Sequence, residues 1–283
     1  MKTSSQIERA SERSPVETSL HPDLPKNQTG HLLAPGGNRG LIGRSLRPAL
    51  CGLLLALLAA PAWADDDKPK KTKTIPFTDA RIRIEVNATD QDSGLHAMID
   101  AEGWRWVKIY DPRGRVVFHV MGGGSVRKTG LTELFFESAE PGFEDLPLNE
   151  FLRRFPAGEY RFVGQTINGD KLFSTAVLTH ALPNGPVLLS PADGSVQDPN
   201  NTVVVWEPVA DPPCSRIARY EVLVTQENPK PKRVLSAVVP GTVSHMIIPP
   251  TFLQRDTEYK YEVLAIEEGG NQTLSEGTFR TAP

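Results

Sequence analysis

The chain has 283 residues, a formal net charge of −3, 23% charged residues and 39% hydrophobic ones. Charges of both signs in near balance suit globular domains and argue against a nucleic-acid partner, which needs a basic face. Two cysteines exclude a disulfide-rich scaffold.

Residues 1 to 40 mix Ser, Pro, Asn and Gly with scattered charges and carry no apolar period, so they cannot build a core. Ala49 to Ala60 form an uncharged run of twelve residues, preceded by Arg39, Arg44 and Arg47 and followed by Ala62-Trp63-Ala64. Basic stretch, short apolar run and small-x-small triplet predict a secretory signal peptide cleaved after Ala64. The run is too short for a spanning helix, which needs about 20 apolar residues. Cys51 stands at the start of the run rather than just behind it, which argues against a lipid anchor. Residues 1–64 are therefore read as an extension and signal peptide, and the mature chain as having no membrane span.

From residue 65 onward there are 30 acidic and 24 basic residues, a net charge of −6, and Cys214 has no second cysteine to pair with. Export without a disulfide predicts a bacterial protein, periplasmic or secreted. The Asn-x-Thr triplets at Asn87, Asn200 and Asn271 are then chance matches.

Residues 65–75 (DDDKPKKTKTI) read as a charged tether. The segment 76–182 reads as a first β-sandwich. Ile82, Ile84 and Val86 alternate with Arg81, Arg83 and Glu85, the period of a half-buried strand. Asp111-Pro112-Arg113-Gly114 fits a type I turn joining Trp106–Tyr110 to Arg115–Val120. Asn168-Gly169 predicts a type I′ hairpin between Tyr160–Ile167 and Asp170–Leu178. Leu148, Phe151, Leu152 and Phe155 have helical spacing, with Asp145 as the expected cap and Pro156 as the stop. The first sandwich thus carries a short loop helix.

After a linker at His180 to Asn184, residues 185–283 form a second segment. A Thr-Val-Val-Val-Trp strand (202 to 206) precedes Tyr-Glu-Val-Leu-Val (220 to 224), then Leu253, Thr257 and Tyr259 to Ala265. This succession resembles a fibronectin type III domain. The resemblance implies a tyrosine corner at Tyr259, whose hydroxyl bonds back to the chain, with Leu253 packed beneath it and Trp206 and Tyr220 in the core. The loop Glu267 to Thr273 lacks an Arg-Gly-Asp tripeptide, so integrin-type adhesion is unsupported. The fold class is all-β: two tandem immunoglobulin-like β-sandwiches after a cleaved signal peptide.

Asp90-Gln91-Asp92-Ser93-Gly94 resembles the opening of a Ca²⁺ loop, with Asp90 and Asp92 as ligands. Ca²⁺ takes six to eight oxygens and the segment offers few, although Glu133, Glu137 or Glu140 are available in sequence. The plainer expectation is a turn capped by its own side chains, with no cofactor. Trp104, Trp106 and Tyr110 are read on one face of a strand, as a platform for a sugar or protein partner or as core packing. Gly122 to Thr129 departs from a phosphate-binding loop at Arg127 and reads as a connection. His96, His119, His180 and His245 have no pair at metal-ligand spacing. No nucleophile motif occurs, and Cys214 lies in a Pro-rich loop. The expected function is a non-enzymatic envelope module binding a glycan or protein. Its alternatives are an accessory or hydrolytic part of a polysaccharide-processing system and a plain spacer.

Overall fold

Strands of alternating burial and tight turns account for nearly all of the regular structure in the computed structural model, which describes residues 71–209, 216–228 and 230–283. The expected signal peptide within residues 1–64, the tether up to residue 70 and Cys214 lie outside the described residues.

The first sandwich comprises β1 (Thr74–Ile75), β2 (Asp79–Asn87), β3 (Asp92–Tyr110), β4 (Val116–Met121), a one-turn helix α1 (Val126–Thr129), β5 (Leu131–Glu137), α2 (Leu148–Arg154), β6 (Gly158–Thr166) and β7 (Lys171–Leu178). Its organising element is β3, a strand of 19 residues. The N-terminal part of β3 pairs with β2 and β5, and its C-terminal part pairs with β4 and β6. One strand therefore serves both layers, and register breaks between Asp100 and Trp106 make the corner. Ile82, Ile84, Leu95 and Ile99 from one layer meet Val107, Ile109, Tyr160 and Phe162 from the other in a closed core.

The structure departs from two local expectations. The turn at Asn168-Gly169 is not type I′, because only Gly169 has positive φ (90°). Gly169 N–H instead bonds Thr166 O at 3.1 Å and Thr166 N–H bonds Asp170 O at 2.9 Å. This is a three-residue loop, a type I turn closed by a glycine bulge, which needs only one left-handed residue. Asp145 does not cap α2. Pro147 holds that position, with φ −53°, ψ 140° and no side-chain bond. The turn at Asp111 forms as expected: Gly114 N–H reaches Asp111 O at 2.9 Å, and Asp111 Oδ1 accepts from Arg113 N and Arg115 N.

The second sandwich comprises β8 (Leu188–Ser190), β9 (Ser195–Gln197), β10 (Val203–Trp206), β11 (Ile217–Gln226), β12 (Arg233–Pro240), β13 (His245–Ile247), β14 (Glu258–Glu267) and β15 (Gln272–Thr281). A three-stranded sheet in the order β13-β10-β8 faces a sheet in the order β15-β14-β11-β12. Val204, Trp206, Tyr220, Val222, Tyr259, Tyr261 and Val263 fill the space between them. Gln254 N–H donates to Tyr259 Oη at 2.7 Å, which is the corner, and Leu253 is buried beside it. The Tyr220 hydroxyl accepts from Val209 N at 2.8 Å.

The two sandwiches share a sheet. β15 lies parallel to β2, with Gln272 opposite Glu85, Thr273 opposite Val86 and Leu274 opposite Asn87. An edge that would otherwise be open in each sandwich is thereby covered by the other.

Candidate functional site

The corner in β3 decides which aromatic side chains are available to a partner. Trp104 is fully buried, and its Nε1 donates to Thr132 O at 3.2 Å. A register shift between Trp104 and Trp106 adds one residue to the strand and turns Trp106, Lys108 and Tyr110 outward, while Val107 and Ile109 stay in the core. The three aromatics therefore do not share a face. The alternation used to place them fails at a bulge, where the phase changes by one. Lys108 Nζ stands 5.9 Å from the Trp106 ring centre, and the Arg161 guanidinium 5.5 Å from that of Tyr110. Met121 on β4, opposite Trp106, is exposed.

The loop at Asp90 is held by its own polar groups. Asn87 Oδ1 accepts from Thr89 N (2.9 Å) and Asp90 N (3.0 Å), and Asn87 Nδ2 donates to Asp90 Oδ2 at 3.2 Å. Gln91 takes positive φ (58°) at the tip. Asp92 bridges to Gly142, and its Oδ1 is buried without a partner. Its carboxyl is pushed up by burial and then by the charges of Asp90, Glu276 and Glu137.

The donors that converge are different ones: Glu85 on β2, His96 on β3, Glu137 at the end of β5 and Glu140 in the loop beyond it, one ligating atom of each within 4.8 Å of the others. Pairing explains the gathering. His96 is directly opposite Arg83 on β2 and Glu137 on β5, and Glu85 is one step along on the same face. Gly94, opposite Glu85, leaves the space that Glu140 fills; a Cβ there would sit 2.8 Å from Glu140 Oε1. His96 Nε2 lies 3.8 Å from Glu85 Oε1 and 3.8 Å from Glu137 Oε1, beyond hydrogen-bond reach. Both ring nitrogens of His96 are buried without a partner. Phe135 stands edge-on to the ring at 5.4 Å, beside a cavity of about 70 Å³ lined by Arg81, Arg83 and Met98.

The electrostatics follow from this crowding. Burial, then Arg83, lowers His96 to about 4, so its imidazole is neutral at pH 7. Burial, then Glu137, Asp92 and Glu85, raises Glu140 to about 7. Burial also raises Glu85, although Gln272 Nε2 donates to its Oε2. Glu137 and Glu140 were legible in sequence as free acids. Glu85 and His96 were not singled out as ligands, because only strand pairing brings them together.

The junction lies beside this cluster. Asn271 is buried, its Oδ1 accepting from Ile84 N at 2.9 Å. Its Nδ2 donates to Thr179 O (3.1 Å), Thr179 Oγ1 (2.9 Å) and Ala181 O (3.1 Å). Thr273 Oγ1 donates to Pro183 O at 2.7 Å. The loop that carries adhesion motifs in some sandwiches is consumed here in sealing one sandwich to the next.

No protein-family profile matches the sequence, and no curated protein sequence does. Among solved structures, the chain is similar to a segment of two fibronectin type III domains from chicken tenascin, at 13% identity over 72% of this chain and 98% of that one, with a TM-score of 0.26. It is also similar to a fibronectin type III domain of human collagen α-1(XX), at 28% identity over 35% of this chain and 83% of that one, with a TM-score of 0.26. Similar solved structures are thus fibronectin type III domains. The strand order of residues 188–281 and the Tyr259 corner give the second sandwich that arrangement on its own geometry.

Proposed function

We propose that the chain is an exported, non-enzymatic recognition module of the bacterial envelope, binding an acidic glycan across the outward face of β3, β4 and β6. Both sandwich interiors are filled by side chains, so recognition falls to faces and loops. The observation that carries the reading is the pair Trp106 and Tyr110, both half-buried on the outward face of β3 and each with a cation beside its ring. Aromatic surface stacks on sugar rings, and Lys108 and Arg161 supply charge for carboxylate or sulfate groups. The signal-like segment ending at Ala64 supports export.

The test is a glycan array probed with the exported chain, followed by titration of the best ligand. Trp106→Ala and Tyr110→Ala should each weaken binding at least tenfold. Lys108→Gln and Arg161→Gln should weaken acidic glycans more than neutral ones. Binding indifferent to all four changes would reject this face.

A hydrolytic reading would draw on Glu137 and Glu140, with Glu140 raised to about 7 as an acid. The adjoining cavity of about 70 Å³ is small for a sugar ring, since small-molecule sites run from about 300 Å³. Substrate access therefore favours binding over hydrolysis.

A further inference from the structure

We propose that Glu85, His96, Glu137 and Glu140 form a site for one divalent transition-metal ion of the zinc type, set on the outer face of the first sandwich beside the junction. Four donors converge within 4.8 Å from three adjacent strands and the loop after β5. Acidic side chains alone would not make a site. The independent observation is His96, only 4% exposed, with both ring nitrogens unpartnered and Nε2 facing Glu85 and Glu137 at 3.8 Å each. A buried imidazole without a hydrogen bond is costly. An ion held between Nε2 and the two carboxylates would give that nitrogen and both facing carboxylate oxygens a partner at once. Metal bonds of about 2.0–2.2 Å place tetrahedral ligands about 3.4 Å apart. The 3.8 Å pairs need to close by only a few tenths of an ångström, and Glu140 has the freedom of a loop.

The donor set selects the class of ion. One imidazole nitrogen with carboxylates suits Zn²⁺ and its neighbours, whereas Ca²⁺ takes six to eight oxygens and Mg²⁺ keeps octahedral oxygen ligands. Glu85, Glu137 and Glu140 outnumber the guanidinium of Arg83, opposite His96, and binding a dication offsets their crowding. Gly94 belongs to the design, because any side chain there would displace Glu140. Glu85 also accepts from Gln272 on β15, so a bound ion would brace β2, β3 and β5 against the seam. This site is separate from the aromatic face, and neither reading depends on the other.

The experiment uses the full chain stripped with chelator, titrated with Zn²⁺ by calorimetry and with Co²⁺ by visible absorption, with melting temperature followed in parallel. The expected result is one ion per chain, a four-coordinate Co²⁺ spectrum, and a rise in melting temperature with Zn²⁺ that Ca²⁺ and Mg²⁺ do not reproduce. Glu137→Gln and Glu140→Gln should each weaken Zn²⁺ at least tenfold, and His96→Gln should abolish the Co²⁺ spectrum. Gly94→Ala replaces no ligand, yet it should weaken Zn²⁺ severalfold by pushing Glu140 aside. His245→Gln, at an exposed histidine on β13, should change nothing. Because Glu137 is half-exposed, its variant keeps the test valid if His96→Gln folds poorly. Binding beyond one ion per chain, or an affinity unchanged in Glu137→Gln and Glu140→Gln, would mean adventitious metal and overturn the site. Equal stabilisation by Ca²⁺ would overturn the class of ion.

Discussion

The second sandwich keeps each of its long strands within one sheet, whereas the first passes the 19 residues of β3 through both. The difference explains where alternation succeeds as a guide. In the second, Val204 and Trp206, then Tyr220, Val222 and Val224, fall into the core at strict steps of two. In the first, Trp104 is core and so are Val107 and Ile109, a change of phase across Arg105. A straight strand preserves its faces, and a bulged one exchanges them. The exchange also creates the outward face on which Trp106 and Tyr110 stand.

The comparison breaks most sharply at the two neighbouring tryptophans. Trp104→Ala should cost about 4 kcal/mol, the range for emptying a large buried site, while Trp106→Ala should cost only about 1 kcal/mol, because its half-buried ring lies on the outer face and leaves no core cavity. Urea denaturation of the two variants measures this directly. Equal losses would mean that the bulge at Arg105 is misplaced.

The seam tests whether the sandwiches behave as two units or one. Asn271→Ala strands Ile84 N–H and removes three donated bonds to Thr179 and Ala181. The expected loss is about 3 kcal/mol, since each buried group left unpaired costs about 1–3 kcal/mol. Unfolding should also change from one transition to two in calorimetry, as the shared sheet loosens. A single transition at the wild-type midpoint would argue that the β2–β15 pairing alone holds the seam.

Each sandwich has a tyrosine tied to backbone four or five residues upstream, and the two differ in the direction of the bond. Tyr259 Oη accepts from Gln254 N, and Tyr160 Oη donates to Pro156 O at 3.0 Å. Tyr259→Phe orphans an N–H and should cost about 2 kcal/mol, whereas Tyr160→Phe orphans a carbonyl with a second lone pair and should cost about 1 kcal/mol. Chevron or equilibrium melts of both variants rank them.

The smallest effect is a pH dependence confined to the first sandwich. Glu140 is raised from 4.5 to about 7, so the folded state binds its proton more tightly than the unfolded chain. Its contribution is fully present below about pH 4.5 and is lost as pH rises through about 7. Glu140→Gln, measured in chelator, should therefore be more stable than wild type at pH 8 by about 1 kcal/mol, after discounting for solvent screening of a partly exposed carboxyl. The gap should close by pH 5. His96, lowered to about 4, acts in the opposite sense, removing stability between pH 6.5 and 4 in both proteins alike. A gap independent of pH would mean that Glu140 ionises normally.

Much of the fold was legible because its signals are local. The alternation of Ile82 to Val86, the helical spacing of Leu148 to Phe155, and the Asp111 turn each need only a few neighbouring residues to take effect. The spacing of Leu253 and Tyr259 was equally readable, since a corner bond spans five residues. The candidate metal cluster was only half legible. Glu137 and Glu140 stood out as acids, but Glu85 reads as the polar face of a strand and His96 as an isolated histidine.

What the sequence determined by itself is the set of strands, their inner faces and the closing turns, because side-chain period and turn chemistry act within a few residues. Three things were decided only by the tertiary structure: the bulge that parts Trp104 from Trp106, the parallel pairing of β2 with β15, and the meeting of Glu85 and His96 with Glu137 and Glu140. Each depends on which strands lie side by side. Asn271 illustrates the reason. In sequence it is a polar residue in an acidic loop, yet its amide satisfies backbone groups about 90 and 187 residues away. A buried polar group must be paired wherever the fold puts it, and no local pattern records the address of that partner.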